Sequence, residues 1–232
     1  MLFVAMSCLQ GRPMAGAFDE LARLGAAIQL TPGNLPTPGF EAHVAASGVP
    51  TRRHHGFAFE RRRADVWAAD GACLVASETV HPPADGEAAG WRAWYEAAPR
   101  PPVLEVMYPG HALGSGDEVE AAMDAGLPLA VDVSHVFIQR TQGAMGDRAW
   151  RRLQGYERIV EVHVSANGGR HDTHQPIATA GAGAGAGDAT FGVAWARERL
   201  RAGTPVVLEC YMHRMTHDER RRQLDAVRGG DA

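Results

Sequence analysis

PLAVDVSHVFIQRTQGAMGDRAWRRLQGYERIVEVHV, residues 128–164, sets two short apolar runs, 128–133 and 159–164, on either side of an amphipathic stretch at 147–155. Each run has the length and β-branched content of a buried strand, and the stretch between them reads as a helix. Strands joined through helices lie parallel in one sheet with the helices packed outside it. This stretch therefore predicts an α/β fold.

The same alternation extends over the whole chain. Further strands are expected at 2–7, 27–30, 53–59, 73–80, 103–107 and 206–210, and further helices at 14–24, 86–97, 118–125, 192–202 and 217–227. The first helix carries Phe18, Leu21, Ala22 and Leu24, close to a 3.6-residue stripe. About eight strands in a chain of this length favour closure into a small (β/α)8 barrel over an open sheet. Residues 31–52 and 60–72 lack helical periodicity and read as loops or short turns, so some barrel helices are expected to be shortened or missing. One domain spanning 1–232 is the expectation. The run AGAGAGAG at 180–187 cannot pack a core and reads as a mobile loop.

Composition narrows the function classes. Apolar residues make up 45% and charged residues 22%, ordinary values for a globular protein. The formal charge of -4 exerts no general pull on a phosphate backbone. All 23 basic residues are arginine, and the densest cluster, Arg52, Arg53, Arg61, Arg62 and Arg63, reads as a solvated loop. Cys8, Cys73 and Cys210 are odd in number and without CxxC spacing, which points away from a disulfide framework or a thiolate zinc site and toward a reducing cytoplasm. No apolar run reaches the roughly 20 residues of a membrane span.

In a closed barrel the C-terminal ends of the strands converge on one mouth, where active sites are built. TRRHHGF brings His54 and His55 there, ASETVHPP brings His81, VLEVMYPG brings Glu105, and AVDVSHVF brings Asp132 and His135. EVHVSANGGRHDTHQPI adds His163, Asp172 and His174, and VVLECYM adds Glu209. Glu105, Asp132 and Glu209 interrupt apolar strands, and burying an ionised carboxylate without a partner is costly. Mixed imidazole and carboxylate donors suit zinc, manganese or iron better than magnesium or calcium. Two or three such divalent ions would neutralise the mouth. One histidine alone in a strand is more often a structural residue than a ligand, so the weight rests on the set. Glu161, two residues before His163 and on the same face of its strand, reads as a hydrogen-bonded carboxylate deeper in the barrel. His43, His111, His213 and His217 read as surface or loop residues. Arg170 and His171 fit a substrate flank or an exposed turn equally well.

The ordered pattern resembles the xylose isomerase-like barrels, a superfamily that includes endonuclease IV and many sugar isomerases and epimerases. The likeness runs from RRHHGF to VVLECY: TVHPP is similar to the family's HPG turn, LEVMYPGHALGSGDEV to its glutamate strand and glycine loop, VDVSHVF to its DxxH strand, and HDTHQPI to its DxH loop. What the resemblance implies, position by position, is a three-metal set of His55, His81, Glu105, Asp132, His135, His163, Asp172, His174 and Glu209. His54 and His55 compete for one place, and His55 is favoured, with His54 beside it as a supporting or surface group. Epimerases of the superfamily use only four central ligands, here Glu105, Asp132, His163 and Glu209.

Filling the five outer positions points to a multinuclear site, with Glu105, Glu209 and His163 at the reacting centre. Phosphoester hydrolysis by an ion-activated water leads. Isomerisation or epimerisation of a sugar-like substrate follows. A third reading is oxidation of a peptide by a multinuclear non-heme iron centre, since DTH also resembles the loop of those enzymes. A small-molecule or peptide substrate is favoured over nucleic acid, and no membrane partner is expected.

Overall fold

The computed structural model describes residues 1–55, 79–82, 103–178 and 190–229. Eight parallel strands close into a barrel in chain order: β1 (Leu2–Ala5), β2 (Ala27–Leu30), β3 (Thr51–His55), β4 (Thr79–Val80), β5 (Val103–Val106), β6 (Leu129–Asp132), β7 (Ile159–Val164) and β8 (Val206–Leu208). The β1 pairing with β8, which sets Phe3 beside Val207, closes the ring. This is a small TIM barrel, as the strand and helix alternation predicts.

Seven α-helices pack outside it among the described residues: α1 (Met14–Ala22), α2 (Phe40–Ser47), α3 (Gly116–Asp124), α4 (Val133–Thr141), α5 (Asp147–Gln154), α6 (Val193–Arg201) and α7 (His217–Arg228). Each buries one stripe. Phe18 and Leu21 of α1 are fully buried, and the Phe18 ring meets Phe40 of α2 edge-on at 6.0 Å. Trp150 of α5 and Trp195 of α6 meet in the same way at 5.3 Å. Truncating Phe18 to alanine would cost about 3–5 kcal/mol through lost burial and the cavity left behind. No described helix is long and apolar enough to cross a membrane.

Two elements differ from expectation. Residues 31–52 do contain a helix, α2, whose weak amphipathy hides it: only Phe40 and Val44 face the core, and Gly39 and Gly48 bound it in the left-handed conformation. The stretch VDVSHVF is not one strand. β6 stops at Asp132, whose Oδ1 accepts from the Ser134 amide at 2.6 Å and so caps α4. His135 therefore sits on the first turn of a helix. The strands and helix expected at 56–78 and 83–102, and the run at 180–187, lie outside the described residues.

Candidate metal centre

Strand periodicity and register place the donors. Side chains two apart on a strand share a face, so Glu161 and His163 of β7 both project inward, with His163 nearer the mouth. Asp132 lies opposite His163 in the β6–β7 register, and Glu105 of β5 stands beside Ala130 of β6. The capping bond of α4 leaves Asp132 Oδ2 directed into the barrel and carries His135 over Glu105. The loop after β7 folds back on itself through an antiparallel bridge between Ala166 and Gln175. It is pinned by Asn167, which donates to the Ser134 carbonyl at 2.8 Å, and by Gly169, whose backbone is left-handed and where a Cβ would strike Thr141 at 2.7 Å. Asp172 and His174 are thereby held above His135.

Four imidazoles surround Glu105. Nitrogens of His135, His163, His54 and His81 lie 3.2, 3.3, 3.4 and 3.4 Å from its carboxylate, yet both of its oxygens lack a hydrogen bond of proper geometry among the described residues. The same holds for Asp132 Oδ2, His163 Nδ1 and His174 Nδ1. Farther out, Asp172 Oδ2 lies 3.0 Å from His174 Nε2 and 3.2 Å from His135 Nε2. A buried acceptor with no donor costs about 1–3 kcal/mol, and more when charged. The Glu105 and Asp132 oxygens and His163 Nδ1, brought into neighbouring groups, make a donor set that fits cations. Four groups have ligand atoms within 4.8 Å of one another: His54, Glu161 and His163, in which Glu161 is already paired with Arg52; His54, His81 and Glu105; Glu105, Asp132 and His135; Asp132, His163 and Glu209.

Electrostatics agree with that geometry. Burial pushes the Glu105 carboxyl up, but the charges of His163 and His81 more than reverse this and hold it well below the usual carboxylate range. Burial likewise pushes His163 down, and Glu209 and Glu105 raise it well above an ordinary histidine. His135 is raised against its burial by Asp132 and Asp172. His174 is raised to about 9, chiefly by Asp172 acting against burial. Glu209 goes the other way: burial, with Glu105 and Asp132 nearby, lifts it to about 7 despite His163. In the ion-free protein, protons occupy this space where cations would be.

Beneath this mouth lies a second polar stratum. Glu161 Oε1 accepts from His163 Nε2 at 2.6 Å, from Gln29 at 2.8 Å and from the Thr79 hydroxyl at 3.0 Å, while Oε2 pairs with the Arg52 guanidinium. Arg52 thus turns into the barrel and is no part of a solvated loop, because it shares the inward face of β3 with His54. Arg53 pairs with Glu41 at 2.7 Å. Arg61, Arg62 and Arg63 lie outside the described residues.

Of the nine expected ligands, the structure brings His81, Glu105, Asp132, His135, His163 and Glu209 into these groups, with Asp172 beside His135 and His174 beside Asp172. The side chain of His55 lies outside the described residues. His54, passed over in the sequence, is buried and contributes to the group with His81 and Glu105. The β3–β4 register, which pairs His54 with Thr79, is what identifies it. Above the donors opens a cavity of about 280 Å³, walled in part by Tyr108, His111 and Tyr211. Arg170, His171, His213 and His217 are exposed, and exposed His43 pairs with Asp19 at 2.7 Å.

Fold and site together define a TIM barrel with a pool of buried histidine and carboxylate donors at its C-terminal mouth. No protein-family model matches the chain, and no curated protein does. Among solved structures, an uncharacterized protein from Parabacteroides distasonis ATCC 8503 is similar over 98% of both chains, with 12% identity and a TM-score of 0.44. A likeness of that degree bears on neither the site nor the function.

Proposed function

We propose that this protein is a metal-dependent enzyme that holds two or three divalent cations at the barrel mouth and hydrolyses a small phosphoester. The observation that carries this reading is the sharing of carboxylates between neighbouring ligand groups. Glu105 belongs to two of them and Asp132 to two, which is the arrangement needed to bridge adjacent ions. Bound ions would supply Lewis acidity and lower the pKa of a coordinated water. The ordered donor set also supports a place among the xylose isomerase-like barrels, nearest in pattern to the endonuclease IV type.

The chain's own residues do the rest. Glu105, Asp132, His163 and Glu209 form the floor, and His135 with Asp172 and His174 forms one flank. Tyr108 packs edge-on against His135 with ring centroids 5.0 Å apart, which fixes the ring and limits water on that side. A cavity of about 280 Å³ sits at the small end for ligand pockets and suits a compact substrate or one residue of a peptide better than a nucleic-acid duplex.

One observation favours the iron oxidase as a second reading: the described cavity wall carries histidines and tyrosines and no arginine to meet a phosphate. Elemental analysis of protein purified without added metal, joined to turnover assays, separates the readings. Zinc with hydrolysis of a chromogenic phosphodiester supports the proposal. Iron with oxygen uptake supports the second reading, and a single manganese or cobalt with aldose turnover supports an isomerase in place of both.

A further inference from the structure

We propose that Glu161 fixes which ring nitrogen each of two histidines offers to the centre: Nδ1 of His163 directly, and Nε2 of His54 through the hydroxyl of Thr79. The inference rests on the metal-site reading above and adds the groups that orient its ligands.

The assignment follows from counting protons. Glu161 is paired with the Arg52 guanidinium and acts only as an acceptor, so each neighbour within hydrogen-bond distance must donate. His163 Nε2, 2.6 Å away, therefore carries a proton. The remaining nitrogen, Nδ1, faces Glu105 at 3.3 Å and Glu209 at 3.6 Å and has no hydrogen-bond partner among the described residues. The hydroxyl of Thr79 has one proton, and Glu161 takes it at 3.0 Å. Toward His54 Nδ1, 2.8 Å away, that hydroxyl can only accept, so Nδ1 of His54 is protonated. Nε2 of His54 is then the nitrogen left with a lone pair, and it is the one 3.4 Å from Glu105. One carboxylate thus serves two ligand groups from below. The second nitrogen of a ligating histidine commonly donates to a carboxylate, which sets its orientation and basicity. Here a single carboxylate does this for one ring directly and for another through a hydroxyl, and Arg52 moderates the basicity it passes on. Glu161 and Thr79 are positioning residues in this account.

Long-range proton–nitrogen correlation spectra of histidine-labelled protein, titrated with zinc alone, test the proposal. In the zinc-loaded wild type, His163 should show coordination at Nδ1 and a protonated Nε2, and His54 the reverse. Thr79→Val should weaken zinc binding at the His54 group about tenfold and disturb the His54 signals, leaving those of His163 in place. Thr79→Ser should restore both. Glu161→Gln should alter both rings. A purely structural role for Thr79 would change melting temperature without changing which nitrogen responds to zinc. Coordination of His54 through Nδ1, or of His163 through Nε2, overturns the proposal from the wild-type spectrum alone, whether or not a variant folds. Zinc bound through those opposite nitrogens leaves the metal-site reading standing, whereas no zinc bound at all defeats both.

Discussion

The barrel interior holds two polar strata separated by two residues along β7, and they solve the problem of buried charge in opposite ways. Around Glu161 the charge is met within the chain: Oε1 accepts from His163, Gln29 and Thr79, and Oε2 is held in an ion pair with the fixed cation of Arg52. Around Glu105 the oxygens face histidine nitrogens at 3.2–3.4 Å without a formed hydrogen bond, and Asp132 Oδ2 is similarly unmet. The lower stratum carries its own fixed counter-charge in Arg52. The upper one relies on histidines and presents the donor groups that the proposed cations would complete.

That contrast can be broken most severely at Glu105. Glu105→Gln removes a donor shared by two ligand groups, and the expected loss of kcat/KM is on the order of a thousandfold, with ion stoichiometry reduced and far-UV circular dichroism unchanged. Activity within tenfold of wild type would remove Glu105 from the centre. The lower stratum should respond in stability instead. Glu161→Ala leaves the Arg52 guanidinium inside the barrel without its carboxylate and should cost about 3 kcal/mol, read from urea unfolding. A variant as stable as wild type would mean that the buried pair contributes nothing.

Glu209 sharpens the comparison because its effect on stability has the reverse sign. Its carboxyl is raised to about 7, so the fold favours the protonated form. That favourable contribution is present below the ordinary value of 4.5 and is lost as pH rises through 7. At pH 8, Glu209→Gln should therefore stabilise the ion-free protein by about 2 kcal/mol while lowering its affinity for zinc. Destabilisation at that pH would contradict the placement of Glu209 among other carboxylates.

His174, raised to about 9, sets a smaller effect. Its pairing with Asp172 stabilises the ion-free fold below the ordinary histidine value and is lost as pH rises through 9. An incoming ion must displace that proton, so zinc affinity should rise about tenfold per pH unit for each proton displaced between pH 7 and 9. Calorimetry in buffers of differing ionisation enthalpy would count the protons. The smallest effect belongs outside both strata: His43→Ala breaks an exposed pair with Asp19 and should change stability by less than about 0.5 kcal/mol, with ion binding untouched.

Much of this was legible in the chain, for physical reasons that differ by residue. β2 and β7 coincide with their apolar runs because both lie in a fully buried parallel sheet, where hydrophobicity alone marks the strand. α4 did not show itself, since VDVSHVFIQ is rich in β-branched and aromatic residues that favour strands. Its helix is imposed by the Asp132 cap, a property of one side chain rather than of periodicity. Glu161 was legible by parity with His163, and its depth followed. Arg52 and His54 were not, because strand parity tells which residues share a face but not which face turns inward. Only the pairing of β3 with β2 and β4 decides that.

The central claim is that the upper stratum is a cation site, and anomalous diffraction from crystals of the zinc-loaded protein tests it most directly. Two or three peaks within coordination distance of Glu105, Asp132, His163 and Glu209 are predicted, vanishing on chelation. Peaks confined to exposed residues such as His43, His213 or His217, with none at the mouth, would contradict it.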